Sequence, residues 1–167
     1  MNPNNLFVTS IFIAIATVFS ISFGWLVQQE RLPLRKMMDF SDSQWQFIKT
    51  WVKVALLLGI VAPVALLLIY WQTVAVRQIL IAYLVAIAIQ LISERVLSQW
   101  LCGSVVVAIG TIYTGFRIWQ LTSGLQLVDN SWLSLLWLVL LFWIANLTML
   151  ITFAIPAILL QPETDAS

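Results

Sequence analysis

Residues 6–27 read LFVTSIFIAIATVFSISFGWLV and contain no charged side chain. As an α-helix, these 22 residues would extend about 33 Å, which exceeds the roughly 30 Å hydrocarbon core of a bilayer. The stretch has no basic segment before it and no clear small-residue cleavage pattern, so a retained membrane span is favoured over a signal peptide. The sequence therefore predicts a transmembrane helix over 6–27.

The composition of the whole chain agrees with this assignment. Of the 167 residues, 62% are hydrophobic and 9% are charged, whereas a soluble globular domain has about 25% charged residues. A bundle of spans of about 20 residues, joined by short loops, uses nearly the whole chain. We therefore expect a single transmembrane helical domain over 1–167, with the lipid bilayer as its main surroundings.

Local signals predict four further helices. Ser41 can cap the second one, Gln44 can complete a capping box, and Phe40 can pack on Trp45 as a hydrophobic staple. Pro63 should kink this helix in mid-membrane. The least marked boundary is the turn between the third and fourth helices near residue 98, where neither Gly nor Pro stands. The predicted fold is all-α, a bundle of five transmembrane helices over 6–27, 42–71, 77–98, 99–120 and 132–158.

The distribution of Lys and Arg predicts the orientation of the bundle. Placing the loop between the first two helices in the cytoplasm puts six basic residues inside and leaves Arg77 and Arg117 outside. The N-terminus is then outside, and the C-terminus is cytoplasmic. The aromatic residues fall at both membrane boundaries under this topology, with Trp25, Trp45, Trp51 and Trp100 inside and Tyr70, Trp71, Trp119 and Trp132 outside.

Several classes of chemistry are absent from the sequence. The chain has no His and a single Cys, which excludes His-based metal sites, bis-histidine haem and Ser-His-Asp catalysis. No phosphate-binding glycine loop or carboxylate cluster is present, so we expect neither an enzyme nor a metal site. The net charge of +1 gives no basic surface for nucleic acid.

The ionisable residues all fall at predicted span ends or in loops, which argues against a proton-coupled pump or a charged channel filter. Glu94 and Arg95 either mark the inner end of the third helix or form an ion pair at the mouth of a cavity. The deep polar residues are expected to hydrogen-bond neighbouring helices. Pairs of small residues should let helices approach closely, namely Ser20 with Gly24, Ala82 with Ala86 and Ser104 with Ala108.

Five spans, a long first loop, a tight turn between the third and fourth helices and nine tryptophans together resemble the TspO/MBR family of tryptophan-rich sensory proteins. Trp51 resembles a spaced tryptophan that opens the family's second helix, and Trp100 resembles the one that opens the fourth. Trp143 and Asn146 are similar to an aromatic residue and an Asn of the fifth helix. The family's Trp-Pro-Pro stretch before the second helix is missing here.

This resemblance implies a pocket near the first loop that binds, senses or transports a porphyrin or another flat hydrophobic molecule. Trp143, Asn146, Trp100 and Trp51 are then the expected ligand-binding residues. The alternative is a non-catalytic accessory or assembly subunit that packs against a larger membrane complex or against copies of itself. A deep cavity lined by Trp143 and Asn146 favours the first hypothesis, whereas a solid core favours the second.

The topology can be tested with single accessible cysteines. A cysteine at Ser43 should be labelled only from the cytoplasmic side, and one at Ser123 only from the opposite side, because three predicted spans, an odd number, separate the two positions. Labelling of both positions from the same side would show that the five-span count is wrong.

Overall fold

A computed structural model describes residues 4–38, 40–127 and 130–159, and this part of the chain is all-helical, as expected. It forms five helices joined by short connections. They are α1 (Asn4–Gln28), α2 (Asp42–Ile69), α3 (Val74–Trp100), α4 (Val105–Gly124) and α5, which runs through Asn130–Met149, Leu150–Ala154 and Ile155–Ile158.

Within the described residues, four helices are long and apolar enough to cross a membrane: α1, α2, α3 and α5. The remaining helix, α4, is not among them, and it carries the polar residues Arg117 and Gln120. Both of these side chains are buried. These four helices indicate a membrane-embedded protein. The crossing of the membrane by α4 stays a prediction.

The turn between α3 and α4 lies later than predicted. The sequence placed it near Ser98, but α3 continues to Trp100 and the chain turns at 101–104. The segment from Glu94 to Trp100 contains neither Gly nor Pro, so the helix continues through it. Gly103, in the turn, lies against the first loop. A Cβ atom there would lie 3.5 Å from the backbone oxygen of Lys36.

The predicted start of α2 is confirmed. The Ser41 hydroxyl accepts a hydrogen bond from the Gln44 backbone at 3.4 Å, and the Gln44 side chain accepts one from the Ser41 backbone at 2.8 Å. The rings of Phe40 and Trp45 meet edge to face with their centroids 5.4 Å apart. The capping box and the staple together fix where the first loop ends and α2 begins.

Small residues bring the helices together around α4. This helix packs against α1, α3 and α5, while the second half of α2 packs against α3 and α5. A Cβ atom on Gly24 of α1 would lie 2.7 Å from the Leu101 side chain and 3.2 Å from Val105, so a larger residue there would push these side chains away. Ala82 and Ala86 of α3 and Ser104 at the start of α4 are buried, which agrees with the expected close approach.

The first loop closes one end of the bundle, which we call the loop end. The backbone of Arg35 donates to the Ile158 oxygen of α5 at 2.7 Å, next to an antiparallel bridge between Leu34 and Leu159. The Ser104 hydroxyl donates to the Arg35 oxygen, which ties the same loop to α4. The loop end therefore joins α1, α4 and α5.

A backbone motif stops α1 before this loop. Glu30 has a φ of 60°, and the amides of Glu30 and Arg31 donate to the Val27 and Leu26 oxygens, as in a Schellman motif. The exposed Glu30 carboxylate accepts a hydrogen bond from Lys36 at 2.7 Å, and this contact holds the pKa of Glu30 below its usual value.

Removal of the cap should loosen the beginning of α2. Loss of an N-cap hydroxyl costs about 1 kcal/mol, so Ser41→Ala should speed amide exchange over residues 42–46 without preventing membrane insertion. Thr50→Ala is the matched control, because the Thr50 hydroxyl bonds the Gln46 oxygen within the same helix. Equal exchange in Ser41→Ala and the parent would count against the cap.

Candidate functional site

A cavity of about 210 Å³ lies between α2, α3, α4 and α5, in the half of the bundle nearest the loop end. Most of its wall is apolar and includes Ile60, Ile87 and Leu150. Four polar side chains interrupt this wall, and they come from three different helices. They are Gln90, Glu94, Arg117 and Asn146.

The cavity opens between α2 and α3. Three aliphatic side chains on its lining are also exposed on the outer surface of the bundle, with exposed fractions of 48% for Val52, 42% for Leu56 and 44% for Leu91, and Trp45 near the start of α2 is exposed as well. All three aliphatic residues belong to helices that are long and apolar enough to cross a membrane. The mouth between α2 and α3 is therefore bordered by apolar side chains.

Arg117 lies inside the bundle, which corrects the prediction that every ionisable residue falls at a span end. Its side chain is 2% exposed, and it lies about 10 Å from the end of α4, seven residues before Gly124 at about 1.5 Å per residue. Seven further residues of helix follow Arg117, so it does not reach the outer boundary where the sequence placed it.

The guanidinium of Arg117 has partners on two other helices. Its Nη2 donates to the Gln90 side-chain oxygen on α3, and its central carbon lies 4.2 Å from the ring centroid of Trp143 on α5. Its Nε is buried and has no hydrogen-bond acceptor among the described residues. One N–H group of a buried charge thus remains unpaired.

Gln90 also connects Arg117 to Glu94. The Gln90 amide nitrogen donates to the Glu94 carboxylate one helical turn away, so a chain of hydrogen bonds runs from Arg117 through Gln90 to Glu94. Glu94 is half-buried on the cavity wall, while Arg95 is exposed. Of the two sequence-based interpretations, the structure places Glu94 at the cavity, with Gln90 and not Arg95 as its partner.

The structure brings together three of the four predicted site residues. Trp51, Trp143 and Asn146 line the cavity, whereas Trp100 is 74% exposed and does not. The indole nitrogen of Trp51 donates to the Asn146 oxygen at 2.7 Å, and the Asn146 nitrogen donates to Thr114 at 3.1 Å. The expected role of Asn146 as a contact between helices is therefore confirmed.

The structure shows the surroundings of two of these tryptophans. Trp143 is only 5% exposed and one face of its ring is covered by Arg117, so little of that ring remains for a flat ligand. Trp51, which was expected at the inner boundary of the membrane, is half-buried, and its ring stacks against Phe142 with a centroid distance of 5.4 Å.

Pro63 shapes the wall of α2 beside the cavity. Proline has no backbone N–H, so the oxygen of Gly59, four residues earlier, loses its helical partner. A π-helical segment, Leu57–Val61, stands at this point, and the Tyr83 hydroxyl donates to the Gly59 oxygen at 2.9 Å. The same hydroxyl accepts from the Trp143 indole nitrogen at 2.7 Å, so Tyr83 links α2, α3 and α5.

Sequence reasoning missed Arg117 and Tyr83, and it left Glu94 as one of two interpretations. One signal was available, because Gln90 and Glu94 are four residues apart and therefore share one face of a helix. The position of Arg117 was harder to recognise, because it depends on how far α4 continues beyond the predicted end at residue 120.

Comparison with known proteins adds no further identification, since no family model, no curated protein and no solved structure matches this chain. The resemblance to the TspO/MBR family therefore stays a hypothesis.

The Tyr83 link can be tested by removing one oxygen. Tyr83→Phe leaves the Gly59 oxygen and the Trp143 N–H without partners, and an unpaired buried group costs about 1–3 kcal/mol. We expect a lower free energy of unfolding and a shifted tryptophan emission spectrum. Tyr70→Phe is the control, because the Tyr70 hydroxyl is buried in the same core without a hydrogen-bond partner in the described residues. Equal stability of the two variants would contradict the proposed role of Tyr83.

Proposed function

We propose that this chain is a multi-pass membrane protein that binds a small hydrophobic molecule in the cavity between α2, α3, α4 and α5. The observation that carries the proposal is the hydrogen-bonded chain of Arg117, Gln90 and Glu94 on the wall of an otherwise apolar cavity. A few polar groups in a mostly apolar pocket are the common form of a small-molecule site.

The cost of this arrangement argues for a role beyond packing. Insertion of Arg into the centre of a membrane helix costs about 2.5–3.5 kcal/mol, and ionisable residues inside membranes commonly mark functional sites. Asn146, Trp51 and Thr114 already provide neutral hydrogen bonds between α2, α4 and α5. A charge is therefore not needed merely to hold these helices together.

The size of the cavity limits what it can enclose. Pockets for drug-sized ligands measure about 300–1,000 Å³, whereas a cavity of about 150 Å³ is enough for benzene. At about 210 Å³ the present cavity suits a molecule of one or two rings, or a short aliphatic chain. The cavity would enclose only one part of a tetrapyrrole, the ligand implied by the family resemblance, and the rest would extend through the mouth between α2 and α3.

The membrane arrangement that accompanies this proposal is the predicted one. We propose that α4 crosses with the other four helices, so that the loop end and the C-terminus are cytoplasmic. The burial of Arg117 removes a basic residue from the opposite side and leaves Arg77 there, which strengthens the asymmetry of Lys and Arg.

Filling the cavity should weaken the binding of naphthalene, a neutral two-ring probe. Gly110 faces the cavity on α4, and a Cβ atom there would have ordinary contacts, the nearest at 3.6 Å to Leu150. Gly110→Leu should fill the cavity and weaken naphthalene binding at least tenfold, as judged by partition of the probe between protein-loaded and empty lipid nanodiscs.

Gly115→Leu is the matched control for this substitution. Gly115 lies on the same helix, and a Cβ atom there would meet nothing within 4 Å. We expect the parent affinity in this variant. Non-saturable uptake of naphthalene by the parent, unchanged in Gly110→Leu, would remove the ligand-binding proposal and favour the accessory-subunit hypothesis.

A further inference from the structure

We infer that the cavity recognises a hydrophobic monocarboxylate, with the carboxylate of the ligand bound to Arg117 and its apolar body lying toward the mouth. This inference rests on the proposed function and names the chemical class of its ligand. The observation behind it is an incompletely paired guanidinium on the wall of a cavity that is too apolar for a hydrated ion.

The donors of Arg117 are only partly used. A guanidinium carries five N–H donors in a fixed planar arrangement, and the described residues give Arg117 one acceptor, the Gln90 oxygen. Trp143 stabilises the charge through its ring face but accepts no N–H bond in the plane of the guanidinium. The buried Nε–H is left without an acceptor.

Glu94 does not fill this vacancy. Its carboxylate accepts the Gln90 amide, and it attracts Arg117 through space without forming an ion pair with it in the described part of the chain. Arg117 therefore keeps capacity for a second acceptor. A carboxylate is the group that best matches a guanidinium, because two parallel N–H···O bonds can form.

The remaining walls select the rest of the ligand. Ile60, Ile87 and Leu150 line the cavity, and Val52 and Leu56 stand at the mouth. A phosphate or another strongly hydrated anion would lose its water against these aliphatic side chains without enough donors to replace it. An amphiphile is compatible with both ends of the cavity, since its carboxylate meets Arg117 and its apolar body meets the aliphatic groups.

The class of ligand can be tested with three naphthalene derivatives that share one ring system. We would measure partition of 2-naphthoate, 2-naphthylmethanol and 2-naphthylmethylamine into protein-loaded nanodiscs, corrected for uptake by empty nanodiscs. The parent should bind the carboxylate at least tenfold more tightly than the alcohol. Arg117→Gln should bring this ratio close to one, because a hydrogen bond to a charged group contributes about 1.5–3 kcal/mol and 1.4 kcal/mol is a factor of ten.

Two further variants separate recognition from damage to the fold. Glu94→Gln keeps an acceptor for Gln90 but removes a negative charge beside the site, so the carboxylate-to-alcohol ratio should rise about threefold or more. Misfolding would not produce such a rise. Gln120→Leu, which removes a buried polar side chain from the same helix away from this cavity, should leave the ratio unchanged.

The possible outcomes distinguish the two proposals. Equal binding of the acid and the alcohol by the parent, or tighter binding of the amine, would overturn the carboxylate assignment while leaving a ligand-binding cavity in place. A lack of saturable binding by all three compounds and by naphthalene would overturn the proposed function itself.

Discussion

A guanidinium buried in a mostly apolar bundle depends on partners from the protein, because apolar side chains cannot replace the hydrogen bonds that it makes in bulk water. Arg117 of α4 meets this requirement with the Gln90 oxygen of α3 and the ring face of Trp143 on α5. The partners come from both neighbouring helices, so the charge fixes the positions of α3 and α5 relative to α4. Loss of one partner leaves a buried charge uncompensated, which is far more costly than the loss of a neutral contact.

Trp143 joins this charge to a second network that includes α2. Its indole nitrogen donates to Tyr83, and Tyr83 donates to the backbone oxygen of Gly59 that Pro63 leaves unpaired. Space is also limited at this point, since a Cβ atom on Gly59 would lie 2.6 Å from the Trp143 ring. A proline, a glycine, a tyrosine and a tryptophan therefore act together to hold α2 against α5, beside the cavity.

The sequence was sufficient to predict the features that depend on contacts within a short segment or on the hydrophobicity of a long one. The length of apolar runs predicted the helices, and the pattern of Phe40, Ser41, Gln44 and Trp45 predicted the start of α2 because all of these contacts are within one turn. The cavity depends instead on contacts between residues far apart in the chain, such as Trp51 with Asn146. Trp143 and Asn146 entered the prediction through a family resemblance, and this resemblance could not indicate that Arg117 covers the ring.

The mouth between α2 and α3 has a consequence for competition at the site. A pocket that opens to water exchanges its ligand against solvent, whereas in a membrane an opening bordered by Val52, Leu56 and Leu91 would face acyl chains. Under the proposed function, lipid would then be the competitor, and it is present at nearly constant amount. Occupancy would follow the mole fraction of the ligand within the bilayer, so a compound that is scarce in the aqueous phase but concentrates in the membrane could still saturate the protein.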